Sequence, residues 1–187
     1  MTVQRTLPLL LLAGAAVALT ACATFQRGPV GNAAVPQPAK TVDLSRYAGL
    51  WYEIARYENG LERDCEGVTA TYTVRDDGLV GVLNRCRQGG LTGEEKTVQG
   101  KAKIVPNSGD AKLKVSFFGP FYVGDYWVLD RADDYSWSIV GEPSGRYLWI
   151  LTRTPQPSAA TRETLMQRTR ELGYDLALIR PTQQPTG

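Results

Sequence analysis

The chain of 187 residues contains no histidine. That removes the usual general base, the serine–histidine–aspartate arrangement, and histidine-ligated metal or haem. Paired carboxylates do occur, at Asp76-Asp77, Glu94-Glu95 and Asp133-Asp134. All three fall in turns or at strand edges, where solvated acidic side chains are ordinary. No catalytic residue, metal site or cofactor is expected. Charge of one sign is also lacking: 21 Lys and Arg stand against 19 Asp and Glu, with no basic cluster. Nucleic acid is therefore not an implied partner. Long apolar runs are missing too. The uncharged apolar run Leu7 to Leu19 has 13 residues, short of the roughly 20 that a membrane-spanning helix needs. Nothing downstream is expected to cross a bilayer as a helix.

The apolar stretch follows Arg5 and leads through small residues into Cys22, the pattern of a signal peptide. Leu19-Thr20-Ala21-Cys22 resembles the bacterial lipobox, in which the cysteine is lipidated before cleavage. The alternative is an ordinary secretory signal with an incidental cysteine. The resemblance implies a diacylglycerol thioether and an amide-linked acyl chain on Cys22, enough for stable anchoring. Ala23, in place of Asp, is similar to the sorting signal for the outer membrane in enteric bacteria. It implies lipid anchoring there, on the periplasmic face. The organisation expected is a signal at 1–21, a lipidated tether at 22–41 and one barrel domain at 42–187. The 166 mature residues suit a single domain with a real core, carrying 20 Lys and Arg against 19 Asp and Glu. Pro29, Pro36, Pro38, Gly28 and Gly31 fall in the tether, which shows no apolar period. It reads as a flexible or semi-extended spacer.

From Leu50 onward, short strand-like runs alternate with turn signals about every ten residues, the spacing of an antiparallel sandwich or barrel. Eight runs are predicted, near 50–57, 67–75, 79–86, 95–104, 111–117, 122–130, 136–141 and 146–153. In the second, Val68, Ala70, Tyr72 and Val74 alternate with threonines, so one face is apolar. The fifth repeats this, with Leu113, Val115 and Phe117 set against Lys112, Lys114 and Ser116. Asp76-Asp77-Gly78 is a tight hairpin turn that makes the second and third runs neighbours.

Folding back about that turn brings Cys65 and Cys86 nearly opposite, within a residue or two of register that a bulge could absorb. In an exported chain the two are expected to be bonded, the alternative being two free buried thiols. A helix is predicted after Ser158 as N-cap, ending at Gly173, with Leu165, Met166, Thr169 and Leu172 on one stripe. It must pack on the outside of the sheet. A short last strand is predicted over Tyr174 to Ile179.

These residues match a family. Gly49-Leu50-Trp51-Tyr52 resembles the signature that opens the first strand of lipocalins, and Leu148 to Pro155 resembles their last-strand signature with its arginine, Arg153. Leu113 to Tyr122 is similar to the bacterial lipocalin branch. The resemblance implies an all-β fold: an eight-stranded antiparallel up-and-down barrel with one C-terminal α-helix packed outside. The floor would be Trp51 over a close backbone pass at Gly49, with the Arg153 guanidinium stacked on the indole. The family's middle signature departs here to Leu129-Asp130-Arg131 with Asp134-Tyr135 beyond, leaving the loop at the closed end open.

An eight-stranded barrel holds side chains or one small ligand. Alternation puts Tyr72, Leu113, Val115 and Phe117 inside and Tyr57 near the mouth, though any of them can merely fill a core. The resemblance implies a non-enzymatic protein that reversibly binds a fatty acid or lysophospholipid, for lipid storage or transport in the envelope. The alternative is a structural lipoprotein with a filled barrel, acting through loop contacts to a partner. The aromatic segment Phe117 to Tyr122 could gate entry or form a homodimer contact.

Overall fold

The computed structural model describes residues 28–186; the signal segment and Cys22 lie outside the described residues. A short helix α1 (Leu44–Tyr47) precedes eight strands: β1 (Gly49–Tyr57), β2 (Cys65–Val74), β3 (Val80–Gln88), β4 (Glu94–Ile104), β5 (Lys112–Ser116), β6 (Gly124–Arg131), β7 (Trp137–Gly141) and β8 (Leu148–Thr152). Helix α2 (Ala159–Glu171) and a short strand β9 (Ile179–Pro181) follow. All eight predicted runs are strands. Each pairs antiparallel with the next in sequence, and β1 pairs with both β8 and β2, so the sheet closes on itself. Closure leaves the barrel no open edge.

The seam depends on β1. Its first half bonds to β2, from Gly49↔Tyr72 to Tyr52↔Thr69, and its second half bonds to β9, from Ala55↔Pro181 to Tyr57↔Ile179. Residues just past β9 continue the wedge. The Thr182 amide donates to the Ile54 carbonyl at 3.0 Å, the Gly67 amide to Gln183 at 2.8 Å, and the Gln184 amide group to both Glu53 and Val68 carbonyls. The run Tyr174 to Leu178, expected as part of a strand, is instead a turn and a 3-10 helix (Leu176–Leu178) capped by the Asp175 carboxylate. The strand begins only at Ile179, where β1 offers free backbone groups.

Helix α2 starts at Ser158, whose hydroxyl accepts from the Thr161 amide, and lays Leu165, Met166 and Leu172 on the outward faces of Leu129, Ile139, Leu148 and Ile150. Arg168 ties it to the buried Asp130 carboxylate at 2.7 Å. Residues 28–41 are not a free spacer. They run along the outer wall, joined to Gly145 by the amides of Gly31 and Asn32, and to Arg131 at Thr41.

The closed end is built on Trp51. Arg153 stacks 3.8 Å over the indole and donates to the carbonyls of Leu50, Arg46, Tyr47 and Ala48, which fixes α1 across the barrel bottom. Gly49 has φ +94°, and a Cβ there would stand 3.4 Å from the guanidinium. The nearby loop is held by Tyr135, at φ 63°, whose hydroxyl accepts from the Asp43 amide at 2.8 Å. Arg46 and Arg131 flank its ring at 4.3 and 4.2 Å.

Cys65 and Cys86 form a disulfide with Cα atoms 5.5 Å apart; the ladder pairs Cys65 with Gln88, so the bond runs diagonally beside a bulge between Glu66 and Thr69. Replacing both by serine should lower the unfolding free energy by about 3 kcal/mol, the loop-closure value for a loop of this size. Trp51→Ala should cost about 3–5 kcal/mol. Urea unfolding measures both, and parental stability in either variant would contradict the assignment.

Candidate functional site

Two strand faces meet inside the barrel, and their side chains divide the interior into zones. The closed-end half is filled. Tyr47 from α1, Tyr72 from β2 and Tyr126 from β6 join hydroxyl to hydroxyl: Tyr72 donates to Tyr126 at 2.9 Å, and Tyr47 pairs with Tyr126 at 2.8 Å and with the Ser138 hydroxyl at 3.0 Å. Trp51 lies 4.9 Å from the Tyr47 ring, between centroids. Burial pushes all three hydroxyls up, Tyr47 to about 12. They are neutral hydrogen-bonding groups at any cellular pH.

The β1 side carries charge. A bulge between Glu53 and Ala55 inserts a residue into the alternation. Trp51 and Glu53 point inward, the bulge shifts the phase, and Arg56, opposite the inward Trp149, returns to the interior. Glu53 and Arg56 are both buried and paired at 2.8 Å. The guanidinium also donates to the carbonyls of Glu62 and Cys65 and to the Thr182 hydroxyl, which in turn donates to Glu53. Beside this pair, the Glu62 carboxylate accepts from the Trp149 indole and from Asn59, each at 2.8 Å.

The same bulge moves Tyr57. Strict alternation from Trp51 puts it at the mouth among the lining residues, but it lies on the outer face. There it packs edge-on to Tyr174 at 5.7 Å and donates to the Asp175 carbonyl at 2.8 Å. The other four expected lining residues share the inner cluster: Tyr72, Leu113 and Val115 are buried, and Phe117 is half-buried over Gly100, where any Cβ would collide with its ring. Glu53, Arg56, Glu62, Tyr126 and Trp149 also line the interior and were not anticipated. Of these, Glu53 was within reach, since it stands two residues from Trp51 on a strand.

Toward the mouth the lining mixes small apolar side chains with polar ones. The β3–β4 ladder runs without a bulge from Val80↔Ala102 to Gln88↔Glu94, so Val98 and Gly100 face inward with the buried Ala102. Val98 is nevertheless 45% exposed. The same alternation turns Asn84, opposite Val98, and Lys96, opposite Cys86, inward, so the inner wall reached from the open end is apolar at Val98 and polar beside it.

Burial, reinforced by the Glu62 carboxylate, pushes the Glu53 carboxyl up to about 8 against the pull of Arg56 and Thr182. The folded protein then holds a proton that the unfolded chain releases. The stability this contributes is complete below about pH 4.5 and drains away as pH rises toward 8. Unfolding free energy should fall from pH 5 to 8, and Glu53→Gln should flatten that slope. Urea titrations at each pH test this, and an unchanged slope in the variant would contradict it.

A family model described as a lipocalin-like domain matches residues 42–184. Among relatives, the outer membrane lipoprotein Blc of Vibrio cholerae is 40% identical, covering 90% of this chain and 98% of that protein. The protein of the same name from Escherichia coli K12 is 39% identical, covering 97% and 99%. Insecticyanin from the tobacco hornworm Manduca sexta superposes with a TM-score of 0.64 at 23% identity, over 80% of this chain and 84% of that one, a likeness of fold. With a family model spanning the barrel and such relatives along nearly its whole length, this chain belongs to the lipocalin family.

Proposed function

We propose that the protein is a non-catalytic lipoprotein of the bacterial outer membrane, held on the periplasmic face by acyl chains on Cys22. In this reading it reversibly binds one single-chain lipid, a fatty acid or lysophospholipid, for storage or transport in the envelope. The observation that carries the reading is the inward, apolar and exposed position of Val98, beside Gly100 and Phe117. In this reading one acyl chain enters tail first above the tyrosines, its head group staying at the mouth near Glu62. The names of the relatives support the location, and the absence of histidine supports a binding role.

A filled barrel that works through its loops is the second reading, favoured by the tightly bonded tyrosines of the lower half. Native mass spectrometry of the chain purified from a bacterial envelope separates the two. One fatty acid or lysophospholipid per barrel is expected. Val98→Trp, which plugs the entrance, should weaken displacement of a fluorescent fatty acid at least tenfold while leaving thermal unfolding in place. An empty barrel that refuses added lipid would move the assignment to the filled-barrel reading. The mass of the membrane-extracted chain reports acylation of Cys22 separately.

A further inference from the structure

Four of the six lysines in the chain lie on β4 and β5, at positions 101, 103, 112 and 114. Along the sequence they are two isolated pairs. The β4–β5 ladder gathers them: Lys101 pairs with Ser116, Lys103 pairs with Lys114, and Lys112 stands two residues from Lys114 on the same face. That face is the outer one, since the intervening Ala102, Leu113 and Val115 belong to the inner cluster. Lys103 and Lys114 thus hold like charges at directly opposed positions, an arrangement that costs stability in a sheet.

Little on the protein offsets that cost. From Lys96 to Gly124 five lysines stand against the single carboxylate of Asp110, a net charge of +4 in a chain whose total is +2. Of the four wall lysines, only Lys114 has a carboxylate within ion-pair distance among the described residues, that of Asp125 at 2.7 Å. Lys112 lies 4.0 Å over the Trp127 ring and donates to the Gln37 side chain. Lys101 and Lys103 lie 5.8 and 4.8 Å from the centre of the Tyr122 ring. Cations on long apolar stems beside amphipathic rings suit the headgroup level of a bilayer.

The wall is also close to where the anchor departs. Lys112 pairs with Trp127, and Trp127 pairs with Gly141, the last residue of β7. Two strand spacings, about 10 Å, therefore separate the lysines from the start of the β7–β8 connection. That connection holds the first described residues: Arg146 donates to the Gly28 carbonyl at 2.6 Å, and the amides of Gly31 and Asn32 donate to the Gly145 carbonyl at 2.9 and 3.2 Å. Cys22 stands six residues before Gly28, a reach of at most about 20 Å. A bilayer that holds Cys22 is within reach of the lysine wall.

We propose that the outer wall of β4 and β5 is a docking face for anionic phospholipid, with Lys101, Lys103, Lys112 and Lys114 set against headgroup phosphates of the bilayer that holds the anchor. This rests on the reading that Cys22 is membrane-attached. Each lysine brought to an anionic surface strengthens the contact roughly fivefold. The acyl chains supply the lasting attachment, and the lysines lay a side wall of the barrel, in a salt-sensitive contact, against the lipid.

Lysine acetylation read by mass spectrometry tests this, because all six lysines report at once. Cys22, the only cysteine outside the disulfide, is coupled to a maleimide phospholipid. The mature chain is then held on vesicles of phosphatidylcholine with phosphatidylglycerol, or of phosphatidylcholine alone. On the anionic vesicles the four wall lysines should react several-fold more slowly than on the neutral ones, and high salt should restore them, while Lys40 and Lys96 keep their rates. Equal rates on both vesicles, slowing confined to Lys40 or Lys96, or the same protection by inorganic phosphate without vesicles would overturn the proposal. Protection by isolated cell-wall glycan in place of vesicles would overturn it too, making the wall a glycan-binding face.

Changing the four lysines to glutamine should weaken low-salt binding of the Cys22→Ser mature chain to phosphatidylglycerol vesicles at least tenfold, with no loss of thermal stability. Arg162→Gln with Arg170→Gln, on α2, should leave that binding unchanged. A parent chain that stays in solution, or an equal loss in the α2 variant, would overturn the proposal. An acylated chain whose wall lysines stay equally reactive faults this proposal alone, and a chain left unacylated in the cell that docks once coupled faults the anchoring alone.

Discussion

The closure of the barrel rests on how one strand divides its hydrogen bonds. A sheet that closes must satisfy both edges of every strand, and an unpaired edge is both a cost and a hazard. β1 meets this by bonding to β8 on one side and splitting the other side between β2 and β9. The parting of β1 from β2 opens a gap, and Thr182, Gln183 and Gln184 fill it with backbone and side-chain donors and acceptors. The bulge between Glu53 and Ala55 falls where this change of partner occurs. The charged interior and the outward turn of Tyr57 both follow from that bulge.

A buried carboxyl beside a guanidinium is weak evidence of stability, because desolvation offsets their attraction, and here it raises the Glu53 carboxyl to about 8. Here the guanidinium of Arg56 is surrounded by carbonyls and a hydroxyl as well as by Glu53. The group joins β1, the β1–β2 connection and the segment after β9, three pieces that must meet for the seam to seal. The tyrosine trio does the same for α1, β2 and β6 without charge. The two networks hold the barrel from opposite zones.

Most of the fold was legible because barrel strands obey a period of two and turn residues mark their ends. The threonines facing Tyr72, the lysines facing Leu113 and Val115, and the Asp76-Asp77-Gly78 turn each specified a local geometry that the barrel keeps. Trp51 and Arg153 were legible by resemblance, and their stacking gives that pair a physical reason. Tyr57 was misplaced because one inserted residue reverses every inward and outward assignment beyond it, and nothing local in Glu53-Ile54-Ala55 marks the insertion. Arg56 was missed for a related reason. A charged residue on a strand reads as solvent-facing until the groups that satisfy it are known, and beyond the local Glu53 those include the Glu62 carbonyl and the Thr182 hydroxyl, the latter 126 residues away. The outer-wall strap over residues 28–41 carries no apolar period, because backbone groups at Gly145 and Thr41 hold much of it.

The seam also imposes an order of events. The segment that completes β1, residues 179–184, comes after every other strand and after α2. A chain emerging from its amino end can form the hairpins β2–β3 through β7–β8 as it lengthens, but β1 keeps unsatisfied backbone groups until that last segment arrives. Pairing β1 with β8 spans about a hundred residues and pairing it with β9 still more, contacts that form slowly because so much chain entropy is lost at once. The barrel cannot close before β8 is available to β1, and the gap beside β1 is filled only when the last segment arrives.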